Sequence, residues 1–181
     1  MLFFVGLIVA FLGFRAWKDR MGFRAQRPED YDYQYPLFDL RRDLAGRFLC
    51  EGVIFGPFGR VVSRFTAEVD ASWDGDAGVM RERFRYDSGA TQDREWHLFI
   101  EPCGSIRAEA DDVVGDGVGA VRGPAVNLAY RIRLPADAGG HVLDVVDWMY
   151  LLDTGTIVNR SQFRKFGLKV AELVATFRRV D

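Results

Sequence analysis

Glu82 and Arg94 carry the clearest chemical potential in this chain of 181 residues, because both fall on the otherwise apolar side of one hairpin. A carboxyl and a guanidinium turned toward an apolar interior suit three roles. They can form a buried ion pair that fixes strand register, an acid tuned by its partner, or a clamp for a ligand carboxylate. Asp147 is a second carboxyl in an apolar run, and with Glu82 it is the candidate for general acid–base work. Trp96, Tyr130 and Trp148 are the aromatic candidates for lining a ligand site beside these charges.

Other chemistries have thin support. Only two histidines occur: His97 lies on the polar side of its strand, and His141 follows the Gly139-Gly140 turn, so both are expected in solvent. Cys50 and Cys103 lack metal-ligand spacing and are either two buried thiols or one disulfide. The stretch from Asp111-Asp112 to Gly119 lacks both the Gly-Lys-Ser/Thr of a phosphate loop and the Asp spacing of an EF-hand, and reads as turn chemistry. Asn159-Arg160-Ser161 fits a glycosylation acceptor pattern that is common by chance. No metal, cofactor or catalytic residue is assigned.

The elements that must position the candidates alternate with period two. In Val61 to Trp73 the odd residues are mostly apolar and the even ones mostly polar, as a half-buried strand requires. Asp74-Gly75 supplies a tight hairpin. Val79 to Asp87 then places Arg81, Arg83 and Arg85 outside and Met80, Glu82, Phe84 and Tyr86 inside. A loop of Ser88-Gly89-Ala90 returns the chain into Thr91 to Ile100, with Trp96, Leu98 and Ile100 inside. That loop sets Glu82 opposite Trp96 and Phe84 opposite Arg94, leaving Glu82 and Arg94 diagonal.

Further strands are expected at Ser105 to Ala110, within Asp111 to Gly123, and at Val126 to Leu134 with Tyr130 on its apolar side. Val142 to Leu152 is apolar on both sides apart from Asp144 and Asp147, so each face needs a cover. Ser161 to Phe166, ended by Gly167, reads as a single helical turn, and Leu168 to Val180 as a closing strand. Eight to ten short strands without a long helix imply an all-β fold, a closed or nearly closed antiparallel barrel. Such an interior is filled by side chains or holds one small ligand.

The amino-terminal end is different. Leu2 to Phe14 has no charged or polar side chain, and with Ala16 and Trp17 a helix there covers about 25 Å, close to a thinned hydrocarbon core. No basic region precedes the run and no small-residue cleavage site follows it, so residues 1–18 are expected to be a retained membrane-anchor helix. Arg15, Lys18, Arg20, Arg24 and Arg27 after it favour a cytoplasmic body by the positive-inside rule. Residues 19–38 read as a polar tether whose tyrosines (Tyr31, Tyr33, Tyr35) dock on the domain surface, and residues 39–181 as the barrel.

Composition excludes more than it selects. Lys plus Arg is 24 against 26 Asp plus Glu, a net charge of −2, with only three lysines and the arginines scattered. No basic field for nucleic acid follows from that.

One set of strings is more specific: Arg64-Phe65-Thr66, Trp73, Glu82-x-Phe84-x-Tyr86-Asp87, Arg94-x-Trp96, Asn127-Leu128-x-Tyr130, Asp147 to Asp153, Asn159-Arg160 and Lys165-Phe166-Gly167. Over about residues 40 to 179 this pattern resembles an uncharacterised bacterial family, domain of unknown function 3833. Many of its members are described as lipoproteins. The resemblance implies a lipocalin-like barrel in the bacterial envelope and carries no reaction or ligand; with the expected single-pass anchor its place would be the inner membrane. It also implies a periplasmic domain, against the cytoplasmic placement from the flanking charges. Phe14 stands where a lipidated Cys would be, which favours a helical anchor over a lipid one. The expectation is thus a membrane-anchored barrel that binds a small apolar or amphipathic, lipid-like molecule without catalysis. The alternative is a solid barrel acting as an envelope scaffold, with Val142 to Leu152 as its partner surface.

Overall fold

The computed structural model describes residues 21–102 and 104–180. The expected anchor helix lies outside the described residues; among the described ones no helix is long and apolar enough to cross a membrane.

Ten strands form the molecule: β1 (Gly46–Phe55), β2 (Val61–Asp74), β3 (Ala77–Tyr86), β4 (Thr91–Ile100), β5 (Ser105–Glu109), β6 (Gly117–Arg122), β7 (Ala125–Arg133), β8 (Val142–Leu151), β9 (Ile157–Lys165) and β10 (Leu168–Arg179). Each pairs antiparallel with its sequence neighbours, and β10 pairs back onto β1. The result is a closed up-and-down barrel, the connectivity that removes sheet edges altogether. Period-two alternation explains why: along β2 the residues Phe65, Ala67, Val69 and Ala71 are buried, and the even residues from Arg64 to Ser72 are exposed.

Three local expectations are corrected. Ser161 to Phe166 is not a helical turn: Ser161 to Lys165 belong to β9, and Phe166-Gly167 form the two-residue turn into β10. The β2–β3 loop is Gly75-Asp76, with Asp74 paired to Ala77 and φ positive only at Gly75 (57°). The β3–β4 loop is Asp87-Ser88-Gly89, closed by a 2.9 Å hydrogen bond from the Tyr86 amide to the Ala90 carbonyl, with Gly89 at φ 86°. A three-residue hairpin of this kind needs its last residue left-handed, a position glycine fills without strain. Placing the loop one residue earlier preserves which side chains face inward but shifts every cross-strand pair. Glu82 now sits directly opposite Arg94, Met80 opposite Trp96 and Phe84 opposite Gln92.

One end of the barrel is plugged. The chain crosses it as a single turn, α1 (Leu40–Asp43), capped by the Asp39 carboxylate accepting the Arg41 amide at 3.0 Å. Phe38, Leu40 and Leu44 are buried there, and the Trp73 indole donates to the Leu44 carbonyl at 2.8 Å. Arg179 donates to the carbonyls of Ala45 and Arg42 from the end of β10.

The stretch read as a polar tether is laid against the outer wall from residue 21 on. It forms 3₁₀ turns at Gly22–Ala25 and Pro28–Tyr31. Phe23 packs with Trp148 and Ala125 in a small cluster separate from the interior, flanked by Tyr31, Val146 and Tyr150. The hydroxyls of Tyr31 and Tyr150 both donate to Gln26 Oε1 at 2.5 Å. Of the three tyrosines expected to dock, Tyr31 does, with its ring 5.3 Å from that of Trp148, whereas Tyr33 and Tyr35 are exposed. The second apolar face of β8 is therefore covered by the chain's own segment, and the partner surface expected there is already occupied.

Candidate functional site

Inside the barrel, β3 and β4 present Glu82, Arg94 and Trp96 toward β7, β8 and β9, which present Tyr130, Asp147, Asn159 and Ser161. Together with apolar residues such as Phe65, Met80, Leu128, Met149 and Phe177, they line a cavity of about 100 Å³. That is ample for ordered water or a small group. Above it the barrel opens into a mouth of about 550 Å³ walled mostly by apolar side chains, including Ile54, Phe84, Ile132, Leu134 and Leu173. Phe65, Phe84, Arg94, Phe163 and Leu173 line both spaces, so the cavity and the mouth adjoin.

Arg94 is the hub. Its Nε and Nη2 lie 3.1 Å and 3.0 Å from Asp112 Oδ1, in the connection between β5 and β6 at the mouth. Its guanidinium stacks 4.1 Å from the Trp96 ring centroid and 5.7 Å from that of Tyr130, and those two rings meet edge-on at 5.2 Å. The Trp96 indole faces Glu82, and the Tyr130 hydroxyl lies between Arg94 and Asp147. Ser161 touches Asp147 and bonds Asn159 Oδ1 at 3.2 Å. Among the described residues two buried side-chain polar atoms make no hydrogen bond: Asp147 Oδ1 and Arg94 Nη2, the latter ion-paired to Asp112 at 3.0 Å but off hydrogen-bonding geometry. Unsatisfied groups of this kind are costly in a dry interior, so their presence in the wall of a cavity points to something polar meeting them there.

Burial pushes the Glu82 carboxyl from its ordinary 4.5 up to about 7; Asp147 adds to this, while Arg94 and Trp96 oppose it. Asp147 is raised as well, again by burial, against the pull of Ser161, Tyr130 and Arg94. The folded barrel thus holds a proton on Glu82 that the unfolded chain releases above its ordinary pKa. The sign follows: this contribution is intact below about pH 4.5 and is lost as pH rises to about 7, by roughly 3 kcal/mol. Urea unfolding at pH 5 and pH 8 should show wild type weakening with pH. Glu82→Gln, which still faces Trp96, should remove most of that slope and be the more stable protein at pH 8 by about 2 kcal/mol. A wild-type stability that climbs between those pH values would contradict this ionisation.

Of the expected site residues, the fold brings Glu82, Arg94, Trp96, Tyr130 and Asp147 together. Trp148 is not among them. Inner positions of β8 are the odd ones (Leu143, Val145, Asp147), so its neighbour Trp148 points outward, where it is 2% exposed beneath Phe23 and Tyr31. Asp147 and Trp148 are adjacent in a strand and cannot share a face. Asn159, Ser161 and Asp112 were missed. The first two lie on a strand that is polar on both sides and so carries no alternation signal, although Asn159 is buried and closed to glycosylation in the folded chain. Asp112 sits in a stretch read as turn chemistry. Cys50 is a buried free thiol whose titration burial pushes upward, and Cys103 lies outside the described residues. His97 lies on the outer surface beside Glu95 as expected.

Fold and site together define an up-and-down antiparallel barrel with a charged cluster set in an apolar cavity and one open end. The model of the family "Protein of unknown function (DUF3833)" matches residues 20–179, and the chain belongs to that family. No curated protein matches it.

Proposed function

We propose that this barrel takes up a small amphipathic, lipid-like molecule without catalysis. Its polar end would meet Arg94, Glu82 and Asp147, and its apolar part would lie in the mouth. The observation that carries the reading is the vertical order of the lining: a plugged apolar floor, a polar cluster at mid-depth with two buried polar atoms, Arg94 Nη2 and Asp147 Oδ1, that make no hydrogen bond, and an apolar mouth above. A ligand entering from the mouth would bury apolar surface at about 25 cal/mol per Å² and satisfy the orphaned atoms at once. The apolar run Leu2 to Phe14 supports retention at a bilayer, where such molecules are found.

An anthroyloxy-labelled fatty acid titrated into the full chain tests this by energy transfer from tryptophan. Saturable binding is expected, and Leu173→Trp, which narrows the passage between mouth and cavity, should weaken it at least about tenfold with the fold intact. Unsaturable uptake, or binding indifferent to that substitution, would remove the interior as the site.

A further inference from the structure

The open end of the barrel has an unusual rim. Two hairpins that neighbour each other through the β1–β10 pairing turn there, one between β1 and β2 and one between β9 and β10. Their tips carry Phe58 at 93% exposure and Phe166 at 91%, flanked by exposed Val61, Val62 and Leu168. Large apolar side chains grouped in this way on one end of a molecule mark a contact surface.

Backbone geometry strengthens the point. Phe166 occupies the first position of its two-residue turn at φ 52°, and Gly167 follows at φ 78°. Such a turn favours Asn or Gly; a bulky residue in the left-handed region costs on the order of 1 kcal/mol. Within the chain, Phe166 gains only a contact with the Lys165 ammonium, 5.6 Å from its ring centroid. A strained backbone that holds an aromatic ring out in water is explained by a surface that receives the ring.

Charge identifies that surface. Residues 55–63 and 163–171 contain Arg60, Arg164, Lys165 and Lys169 and no Asp or Glu, in a chain whose net charge is −2; Lys169 is paired with Glu172 at 2.6 Å, so Arg60, Arg164 and Lys165 carry the basic character of the two tips. Elsewhere at the mouth the turns are acidic, with Asp87 at the β3–β4 tip and Asp111, Asp112 and Asp116 between β5 and β6. Basic side chains around projecting aromatics complement anionic headgroups over an acyl interior. From Phe38 at the plugged end the outer segment passes Tyr31 beside Tyr150 and brings Phe23 onto Trp148, Ala125 and Arg160 on the outer wall.

We propose that the half-rim formed by the β1–β2 and β9–β10 hairpins docks on an anionic lipid surface, inserting Phe58 and Phe166 so that the mouth faces the bilayer. This docking stands whatever the cavity holds. The test is depth-dependent quenching in the full chain, reconstituted at one copy per nanodisc of phosphatidylglycerol and phosphatidylcholine with brominated acyl chains. Phe166→Trp and Phe58→Trp, read as differences from the parent chain, should each lose about half or more of the added emission, since interfacial rings sit within about 10 Å of the acyl boundary. Thr154→Trp, at the plugged end, should lose none. Equal quenching at all three positions would overturn the proposal, as would blue-shifted but unquenched emission at the two tips, the signature of a second protein copy covering them.

Discussion

Arg94→Met should cost the folded barrel about 3–5 kcal/mol at pH 8, the range for removing one partner of a buried charge network. The thioether keeps the bulk of the side-chain stem, so little of the loss is packing. What disappears is the cation that Asp112, Glu82 and the Tyr130 hydroxyl all face. At pH 5 the cost should shrink markedly, because Glu82, raised to about 7, is then protonated and no longer needs the guanidinium. Adding Glu82→Gln to Arg94→Met should restore part of the stability at pH 8, a coupling that a double-mutant cycle in urea would read directly. If Arg94→Met proved as stable as wild type at pH 8, the guanidinium would not be the neutralising centre of this cluster, and the ligand role given to it would fall with it.

Trp148→Ala should act on a different unit. The Trp148 side chain is almost wholly buried between the outer wall and the segment carrying Phe23 and Tyr31, and it stacks 6.2 Å from Tyr150 with the rings nearly parallel (7°). Truncating a buried tryptophan typically costs about 3–5 kcal/mol. Here the outer segment can release while the closed barrel persists, since Phe23 is held on the outside by Trp148, Ala125, the rings beside them and the Arg160 guanidinium, apart from the interior core. Trypsin cleavage after Arg24 is therefore expected to accelerate by roughly a hundredfold, the equivalent of about 3 kcal/mol in the opening equilibrium. The barrel's own melting transition should move much less. Cleavage unchanged by Trp148→Ala would mean that other contacts hold the segment.

These two variants divide the molecule into an interior that the charges organise and an exterior clasp that the aromatics hold. The segment from residue 21 packs on the wall instead of hanging free, and so keeps one geometry against the barrel. That rigidity suits the docking proposed for the mouth, since a half-rim of two hairpins can meet a surface only if the barrel presents it consistently.

Much of this was readable in the residue order. Alternation along Val61 to Trp73, Val79 to Tyr86 and Thr91 to Ile100 determined which side chains face inward, because the pleat repeats every two residues whatever the partner strand. Hence Glu82, Arg94 and Trp96 were legible as inward-facing, and closure into an antiparallel barrel followed from many such strands with short loops. Pairing and cover were decided only by the tertiary structure. A one-residue shift of the β3–β4 loop turned Glu82 and Arg94 from diagonal into opposed neighbours without changing a single face. Likewise β8, apolar on both sides, gave no local reason to choose Asp147 over Trp148 for the interior. That choice rests on its register with β7 and β9, and on the Phe23 segment arriving from more than a hundred residues away. In β9 the inward Asn159 and Ser161 erased the alternation that would have announced a strand. Facing is a local property of the extended chain; register and burial are set by partners distant in sequence, and the cluster at Arg94 exists only where those partners meet.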